Sequence, residues 1–376
     1  MEKKLFLLDA YALIYRAHFA FINNPRINSK GLNTSAIFGF CNSLLEVINN
    51  HKPTHLGVVF DPPGGSNREE VFSEYKANRQ EMPEDIRKSI PYIFDILNSM
   101  NIPTEMVSGF EADDLIGTLS KQAEKQGYKV FMMTPDKDFG QLVSENIFIY
   151  KPGRSGNPSE ILGVKEVCDK FEVERPEQVI DILGLWGDAV DNIPGIPGIG
   201  EKTAKKLIGI YGSVENLLAN TQDLKGKQKE NVENFADQGL ISKQLATIIL
   251  DCPVEFNASQ YERKKINEDS LIKILKELEF NQFGKRILGK PIFQEKQMDL
   301  FAINEVENTT SSDFQSFSSK NTNYQLIKSK EEHELFALSL VSKEAVAFDT
   351  ETTSLEINEA KLLGISFSYS KNKAFY

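Results

Sequence analysis

The sequence is poor in the residues that build soft metal sites and nucleophilic triads. Its 376 residues include three cysteines and four histidines. Cys41, Cys168 and Cys252 lie far apart with no CxxC pair. That excludes a disulfide scaffold and a zinc site, and suits a reducing, cytoplasmic compartment. No histidine has metal-ligand spacing, so any metal must be held by oxygen, which means Mg²⁺, Mn²⁺ or Ca²⁺. No Ser-His or Cys-His pair offers a nucleophile, and no GxxxxGK[ST] indicates an NTPase. No apolar run approaches the roughly 20 residues that span a bilayer, so no membrane partner is expected. The opening MEKKLFLLDAYALIY begins like a signal peptide. Asp9 interrupts it and no small-residue cleavage site follows, so export is not expected.

Acid is what the chain has in excess. Asp and Glu total 54 against 43 Lys and Arg, a formal net charge of −11. Hydrophobic residues make up 40% and charged residues 26%, as in an ordinary soluble globular protein. At roughly 150 residues per domain, the length suggests two to three domains.

The first stretch alternates short apolar runs with helical patterns. Residues 4–8 (KLFLL), 56–60 (LGVVF) and 129–134 (KVFMMT) read as strands buried on both faces. They lead to Asp9, Asp61 and Asp136. Residues 10–20 read as a helix, and Asn33-Thr34-Ser35 opens an amphipathic run to Asn50. The expected fold is α/β: residues 1–175 form a parallel-sheet core with helices on both faces. Residues 176–290 are expected to be all-helical, with a Pro/Gly hairpin at 192–200 (NIPGIPGIG). Residues 302–322 are polar and nearly devoid of packing residues, so 291–322 is expected to be a linker. A new α/β pattern starts near Tyr324 and stops in mid-pattern at Tyr376.

In open parallel sheets, ligands bind beyond the carboxyl ends of the strands. Asp9, Asp61 and Asp136 are therefore candidates for one site. Further acids cluster at Glu111, Asp113 and Asp114 (GFEADDLIG), at Asp138, and at Asp188 and Asp191 (GDAVDN). Singly, such acids are mostly solvated loop residues. Recurrent strand-end placement argues for a site. Two like charges 4 Å apart repel by about 4 kcal/mol at an effective dielectric of 20, and a domain is stable by about 5–15 kcal/mol in all. Converging acids therefore require protons or bound cations. Hydrated Mg²⁺ or Mn²⁺ suits an all-oxygen set. Two such ions can hydrolyse a phosphodiester.

LLDAYALIYRAHFA, FDPPGGSNREEVFSEYKANR, GFEADDLIGTL, TPDKDFGQL and GDAVDNIPGIPGIGEKTA together resemble the flap endonuclease family, in the form found in the 5′-nuclease module of bacterial DNA polymerase I. The resemblance covers about residues 1–290, in the family's order. It implies a structure-selective 5′–3′ exonuclease and flap endonuclease acting in primer removal and repair. It also implies Asp9, Asp61, Glu111, Asp113, Asp114, Asp136, Asp138, Asp188 and Asp191 as carboxylates around two divalent ions. Two departures stiffen turns that carry these acids: Pro135 before the DKD pair, and Pro62-Pro63 after Asp61. A catalytically inactive DNA-junction binding module is the rival reading, although no acid of the set has been replaced.

Residues 201–290 hold 15 basic and 13 acidic residues, so the acidity lies elsewhere. Gly198 and Gly200, followed by Lys202, Lys205 and Lys206, give a helix-hairpin-helix signal that favours contact with phosphates. In the family this element grips duplex DNA, with a monovalent cation on its carbonyls. Arg68, Phe72, Lys76 and Arg79 share one helical stripe with Tyr75 beside it. Periodicity alone leaves this open between an ordinary amphipathic helix and a single-strand platform. The resemblance implies a helical gateway, with Tyr75, Lys76 and Arg79 touching the displaced strand at a duplex/5′-flap junction. It also implies that Arg16 contacts phosphate. Trp186 is expected to pack in the core.

Asp349 and Glu351 (FDTET) resemble the first motif of the 3′–5′ exonuclease fold, a ribonuclease-H-like sheet. Residues 323–376 are thus expected to carry an incomplete second exonuclease site, at the start of a second nuclease module. Gln297-Met298-Asp299-Leu300-Phe301 resembles the motif by which bacterial proteins dock on the sliding clamp; packing back onto the nuclease is the alternative. A monomer is expected.

Overall fold

In the computed structural model, residues 2–153, 158–292, 323–353, 361–371 and 373–376 are described. The 297–301 motif and almost all of 291–322 lie outside them. Among the described residues, no helix is long and apolar enough to cross a membrane.

Along β1 (Lys4–Asp9), side chains alternate between two cores. Leu5 and Leu7 join one cluster, and Phe6 and Leu8 the other. A strand covered on both faces must be apolar at every position, which is why KLFLL reads as a continuous run. The helix α1 (Ala10–Ala20) follows without a loop, because Asp9 serves as its N-cap. Next come α2 (Ser35–Glu46), β2 (His55–Val59), α3 (Arg68–Val71) and α4 (Glu84–Ser99). The core continues through β3 (Thr104–Glu105), α5 (Ala112–Lys125), β4 (Lys129–Met133), β5 (Ile147–Lys151), β6 (Glu160–Leu162) and α6 (Val164–Phe171). The sheet order is β3-β2-β1-β4-β5-β6. Its first five strands are mutually parallel, whereas β6 pairs antiparallel to β5, so the sheet is mixed at that edge. Because β1 lies between β2 and β4, all three release their chains at the same edge.

Helices follow: α7 (Val179–Trp186), α8 (Glu201–Tyr211), α9 (Val214–Ala219), α10 (Gly226–Asn234) and α11 (Ala236–Ala246). After α12 (Ala258–Tyr261) the chain returns to the sheet. Leu271, Leu275 and Leu278 of α13 (Glu268–Leu278), and Phe283 of α14 (Asn281–Leu288), are buried in the cluster that holds Phe6 and Leu8. The late helices thus complete the covering of the early sheet. Residues 1–297 make one compact unit and 298–376 another.

In the second unit, β7 (Asn323–Gln325), α15 (Lys330–Val341), β8 (Ala347–Thr352), β9 (Leu362–Ser370) and β10 (Lys373–Phe375) form a four-stranded sheet, ordered β7-β10-β9-β8, with one helix. Strand β8 runs through the FDTET motif. Asp349 and Glu351 therefore sit within an edge strand, opposite Ser366 and Gly364 of β9.

Candidate active site

Asp9 is the last residue of β1 and is buried. Its Oδ1 accepts the Ala12 N–H at 3.1 Å, and its Oδ2 accepts the Thr134 hydroxyl at 3.1 Å. Asp61 lies two residues beyond β2, where its Oδ1 accepts the Ala112 N–H at 2.9 Å. Asp136 lies three residues beyond β4, and its N–H donates to Thr134 Oγ1 at 3.2 Å. Pro135 therefore leaves a formed turn. The Asp9 carboxyl is pushed up to about 7 by burial and then by Asp61, with a further push from Asp136. Burial is also the largest cause raising Asp61 and Asp136. These three strand-edge acids share one electrostatic environment.

The first turn of α5 adds Glu111 and Asp113. Glu111 Oε2 accepts Lys76 Nζ at 2.6 Å and the Tyr75 hydroxyl at 3.1 Å, and lies 3.2 Å from Arg68 Nη1. Asp113 is raised well above the ordinary carboxylate range by burial, against the pull of Arg68. Asp114 is different. Its Oδ1 accepts Arg68 Nη2 and the Ile249 N–H, and its Oδ2 accepts Arg68 Nη1 and the Glu111 N–H. Both oxygens are committed to protein donors, so Asp114 braces the site from behind.

That pairing holds the first of the expected gateway residues inside the protein. Arg68 is buried and donates to the carbonyls of Leu245 and Thr247 as well as to Asp114. It is an interior residue, bonded on all sides to the protein itself. The helix carrying it spans only four residues, so no helical stripe joins Arg68 to Arg79. Tyr75 is also buried, with its hydroxyl on Glu111. Lys76 adopts φ +57°, and its backbone N–H donates to the Asp191 carbonyl at 2.9 Å. Arg79 Nη2 donates to Asp191 Oδ1 at 2.5 Å.

The third group comes from the turns after β4 and α7. Asp138 donates its N–H to Asp136 Oδ1 at 2.9 Å, yet its own Oδ1 is buried without a hydrogen-bond partner. Lys137 Nζ pairs with Asp188 and stands 5.0 Å over the Trp186 ring. Trp186 is half-buried, packed against the main cluster. Gly187 and Gly195 pass back to back at φ +79° and +61°. A Cβ on Gly195 would stand 2.5 Å from Gly187 N, so only glycines close the loop that presents Asp188 and Asp191.

All the donors at this edge are hard carboxylate oxygens, and an orphaned buried oxygen at Asp138 calls for a cation. The chemistry fits divalent ions. Even so, among the described residues no three acidic, histidine or cysteine side chains are already arranged to hold one ion. Lys76 and Lys137 stand on Glu111 and Asp188 and neutralise those two acids locally. Thr134 and Lys137 are the participants that sequence reasoning did not assign; a hydroxyl between a strand end and a DKD turn was the available signal.

Gly200 is the N-cap of α8, and Gly198 has φ +81°. Lys202 and Lys206 are exposed. Lys205 is instead tied to Glu201 at 2.9 Å and donates to the Lys170 carbonyl at 2.8 Å. Arg16 donates to the carbonyls of Pro152 and Gly153. In the second unit Asp349 and Glu351 are exposed, and Asp349 Oδ1 accepts the Thr350 N–H at 2.9 Å.

Residues 4–172 match the family model described as 5′-3′ exonuclease, N-terminal resolvase-like domain. Residues 174–269 match that described as 5′-3′ exonuclease, C-terminal SAM fold. DNA polymerase I of Bacillus subtilis (strain 168) is 40% identical over 305 residues, covering 81% of this chain and 34% of that protein. The 5′-3′ exonuclease of Aquifex aeolicus (strain VF5) is 36% identical over 303 residues, covering 80% of this chain and 100% of the relative. A solved structure of T5 5′-exonuclease with zinc bound superposes with a TM-score of 0.54 at 21% identity, covering 76% of this chain and 99% of that one. At that identity the likeness speaks for the fold. The chain belongs to the 5′-3′ exonuclease family. It spans about a third of the length of the curated DNA polymerase I relatives it matches.

Proposed function

We propose that this chain is a structure-selective 5′ nuclease that hydrolyses DNA phosphodiesters at duplex/5′-flap junctions. The observation that carries the reading is the delivery of Asp9, Asp61 and Asp136 to one sheet edge by three neighbouring parallel strands. Asp9, Asp61, Glu111, Asp113 and Asp136 are the first choice of residues to hold two divalent ions, with Asp138, Asp188 and Asp191 completing the set. When bound, Mg²⁺ or Mn²⁺ supplies activation of the attacking water and stabilisation of the leaving 3′ oxygen. The chain's own part is placement. Thr134 and Ala112 orient Asp9 and Asp61, and Arg68 with Asp114 fixes the start of α5. Lys76 and Arg79, on Glu111 and Asp191, meet the displaced strand near the scissile phosphate in this reading.

The α7–α8 hairpin, through Gly198, Gly200, Lys202 and Lys206, grips duplex phosphates, with a monovalent cation on its carbonyls as the finer part of the proposal. Primer removal and repair within a DNA polymerase I, a ribonuclease-H-like second unit bearing Asp349 and Glu351, clamp docking through residues 297–301 and a monomeric state belong to the same reading. The test is a labelled 5′-flap duplex incubated with and without Mg²⁺, using the parent chain and Asp113→Ala. Cleavage only by the parent, and only with Mg²⁺, is expected. Parent-rate cleavage by Asp113→Ala sinks the assignment.

A further inference from the structure

Helix α11 reaches the supports of all the acid clusters at once. The last carbonyls of a helix have no intrahelical partner and take donors from elsewhere. At the end of α11, the Leu245 carbonyl accepts Arg68 Nε at 3.1 Å, and the Ala246 carbonyl accepts Gln141 Nε2 at 2.8 Å. Just beyond, the Thr247 carbonyl accepts Arg68 Nη2 at 3.0 Å, and the Ile249 N–H donates to Asp114 Oδ1 at 2.8 Å. These bonds join this end of α11 to the start of α5. Earlier in the helix, Ser242 Oγ accepts the Gly195 N–H at 3.0 Å, and Gln238 Nε2 donates to the Gly195 carbonyl at 2.7 Å. They hold the loop that presents Asp188 and Asp191. Residues 236–249 are thus a common brace behind the carboxylates.

On the turn of Asp136 and Asp138, the link to this brace is Gln141. Its side chain is buried, and both its nitrogen and its oxygen are in use. Besides Ala246, Nε2 donates to the Asp138 carbonyl at 3.1 Å, and Oε1 accepts the Ile248 N–H at 2.9 Å. The backbone of Asp138 is held from below, while its Oδ1 is buried without a hydrogen-bond partner. A carboxylate oxygen left free above a fixed backbone is what a ligand with a supporting partner requires. Two ions act on one phosphodiester only when about 3.5–4 Å apart. The acids of α5 and those of the DKD turn must therefore keep a set spacing, and the brace touches the supports of both.

We infer that Gln141 is a positioning residue for the proposed reaction: by tying the DKD turn to the end of α11, it sets the spacing of Asp136 and Asp138 from Glu111 and Asp113, and with it the affinity for divalent ions. The inference rests on the nuclease reading and deepens it. Gln122 of α5 supplies the matched comparison. Its Nε2 donates to the Val254 carbonyl at 3.0 Å and its Oε1 accepts the Phe256 N–H at 2.7 Å, the same two-way bond to the chain that follows α11. It lies about 12 Å along α5 from Asp114, away from the acids.

The experiment uses the full chain and compares the parent with Gln141→Met and Gln122→Met. Mn²⁺ binding is measured by titration calorimetry without DNA, and cleavage of a labelled 5′-flap duplex over a Mn²⁺ series alongside. Both variants should melt below the parent, because each strips partners from backbone groups. Gln141→Met should bind Mn²⁺ roughly 10- to 100-fold more weakly and need correspondingly more of it to cleave, while Gln122→Met stays within about twofold of the parent. Gln141→Asn keeps the amide on an arm one methylene shorter. It should show a smaller loss, and it takes the place of Gln141→Met if that variant does not fold. Parent-like Mn²⁺ affinity in a folded Gln141 variant overturns the inference. So does an equal loss in Gln122→Met, since affinity would then follow stability and not position. A parent that binds Mn²⁺ but never cleaves sinks the nuclease reading instead, while the calorimetry still decides Gln141.

Discussion

Arg68 and Asp114 meet as a two-point pair inside the protein, Nη1 to Oδ2 at 2.9 Å and Nη2 to Oδ1 at 2.7 Å. They join the segment after β2 to the start of α5. Through the carbonyls of Leu245 and Thr247, they also join both to the helical region. Removing one partner leaves a buried charge unpaired, which costs about 3–5 kcal/mol. Arg68→Met should lose that much in urea unfolding. In a double-mutant cycle with Asp114→Asn, which keeps an acceptor for the Glu111 and Ile249 N–H groups, the two losses should fall well short of adding, and additive losses would contradict the pairing.

Asp9→Asn separates the site's chemistry from its stability. Asparagine still caps α1. It removes one negative charge from a crowded edge, so the variant in EDTA should unfold at higher temperature than the parent. Mg²⁺-dependent cleavage should fall by at least roughly 100-fold. A variant that is both less stable and fully active would reverse both halves of the argument.

The same crowding sets a pH dependence. Asp9, Asp61, Asp113, Asp136 and Asp138 hold protons more tightly folded than unfolded, chiefly because they are buried. The folded state then binds more protons, so stability falls as pH rises from the unfolded value near 4 through the folded values, about 7 for Asp9. Glu111 is held below its usual range by Lys76 and Arg68, against the effect of burial, and acts oppositely only at lower pH. In EDTA the melting temperature should be higher at about pH 5 than at about pH 7.5. Added Mg²⁺ should raise it more at the higher pH. Equal Mg²⁺ effects at both would argue against ions at these carboxyls.

The hairpin lysines should divide. Lys202→Ala and Lys206→Ala remove exposed charges and should each weaken DNA binding while lowering the salt slope by about 1. Lys205→Ala removes a charge already satisfied by Glu201, and should leave that slope nearly unchanged. Equal slopes for all three variants would place Lys205 on the DNA as well.

Gly195→Ala places a methyl against the Gly187 nitrogen and the Trp186 carbonyl carbon, each 2.5 Å away, at a positive φ. A loss of roughly 2 kcal/mol or more is expected from strain and overpacking. Cleavage should fall further than stability alone explains, because Asp188 and Asp191 move with the loop. Circular dichroism melts beside flap cleavage will separate the two effects.

The strand-edge acids were legible because they depend on local rules. Apolar runs of four or five residues mark buried strands, and β1, β2 and β4 fall where KLFLL, LGVVF and KVFMM do. What was not legible depends on partners far along the chain. Arg68 looked like a surface cation because nothing near it in sequence shows Leu245, whose carbonyl it reaches across 177 residues. The bond from the Tyr75 hydroxyl to Glu111, 36 residues away, is equally absent from the local pattern. A basic and aromatic stripe carries no signal of whether carboxylates will cover it. The antiparallel β6 was also hidden, because three residues are too few to show a period.

The return of α13 and α14 onto the face of the sheet that carries Phe6 and Leu8 has a consequence for biosynthesis. The early helices α1, α2 and α4 cover most of that face, but its apolar layer stays incomplete until Phe283 and Ile292 emerge from the ribosome. The nascent chain therefore carries an open apolar seam until its last helices are made, and a stop codon between the hairpin and Ile292 should yield a product more prone to aggregation than a smaller nuclease would be.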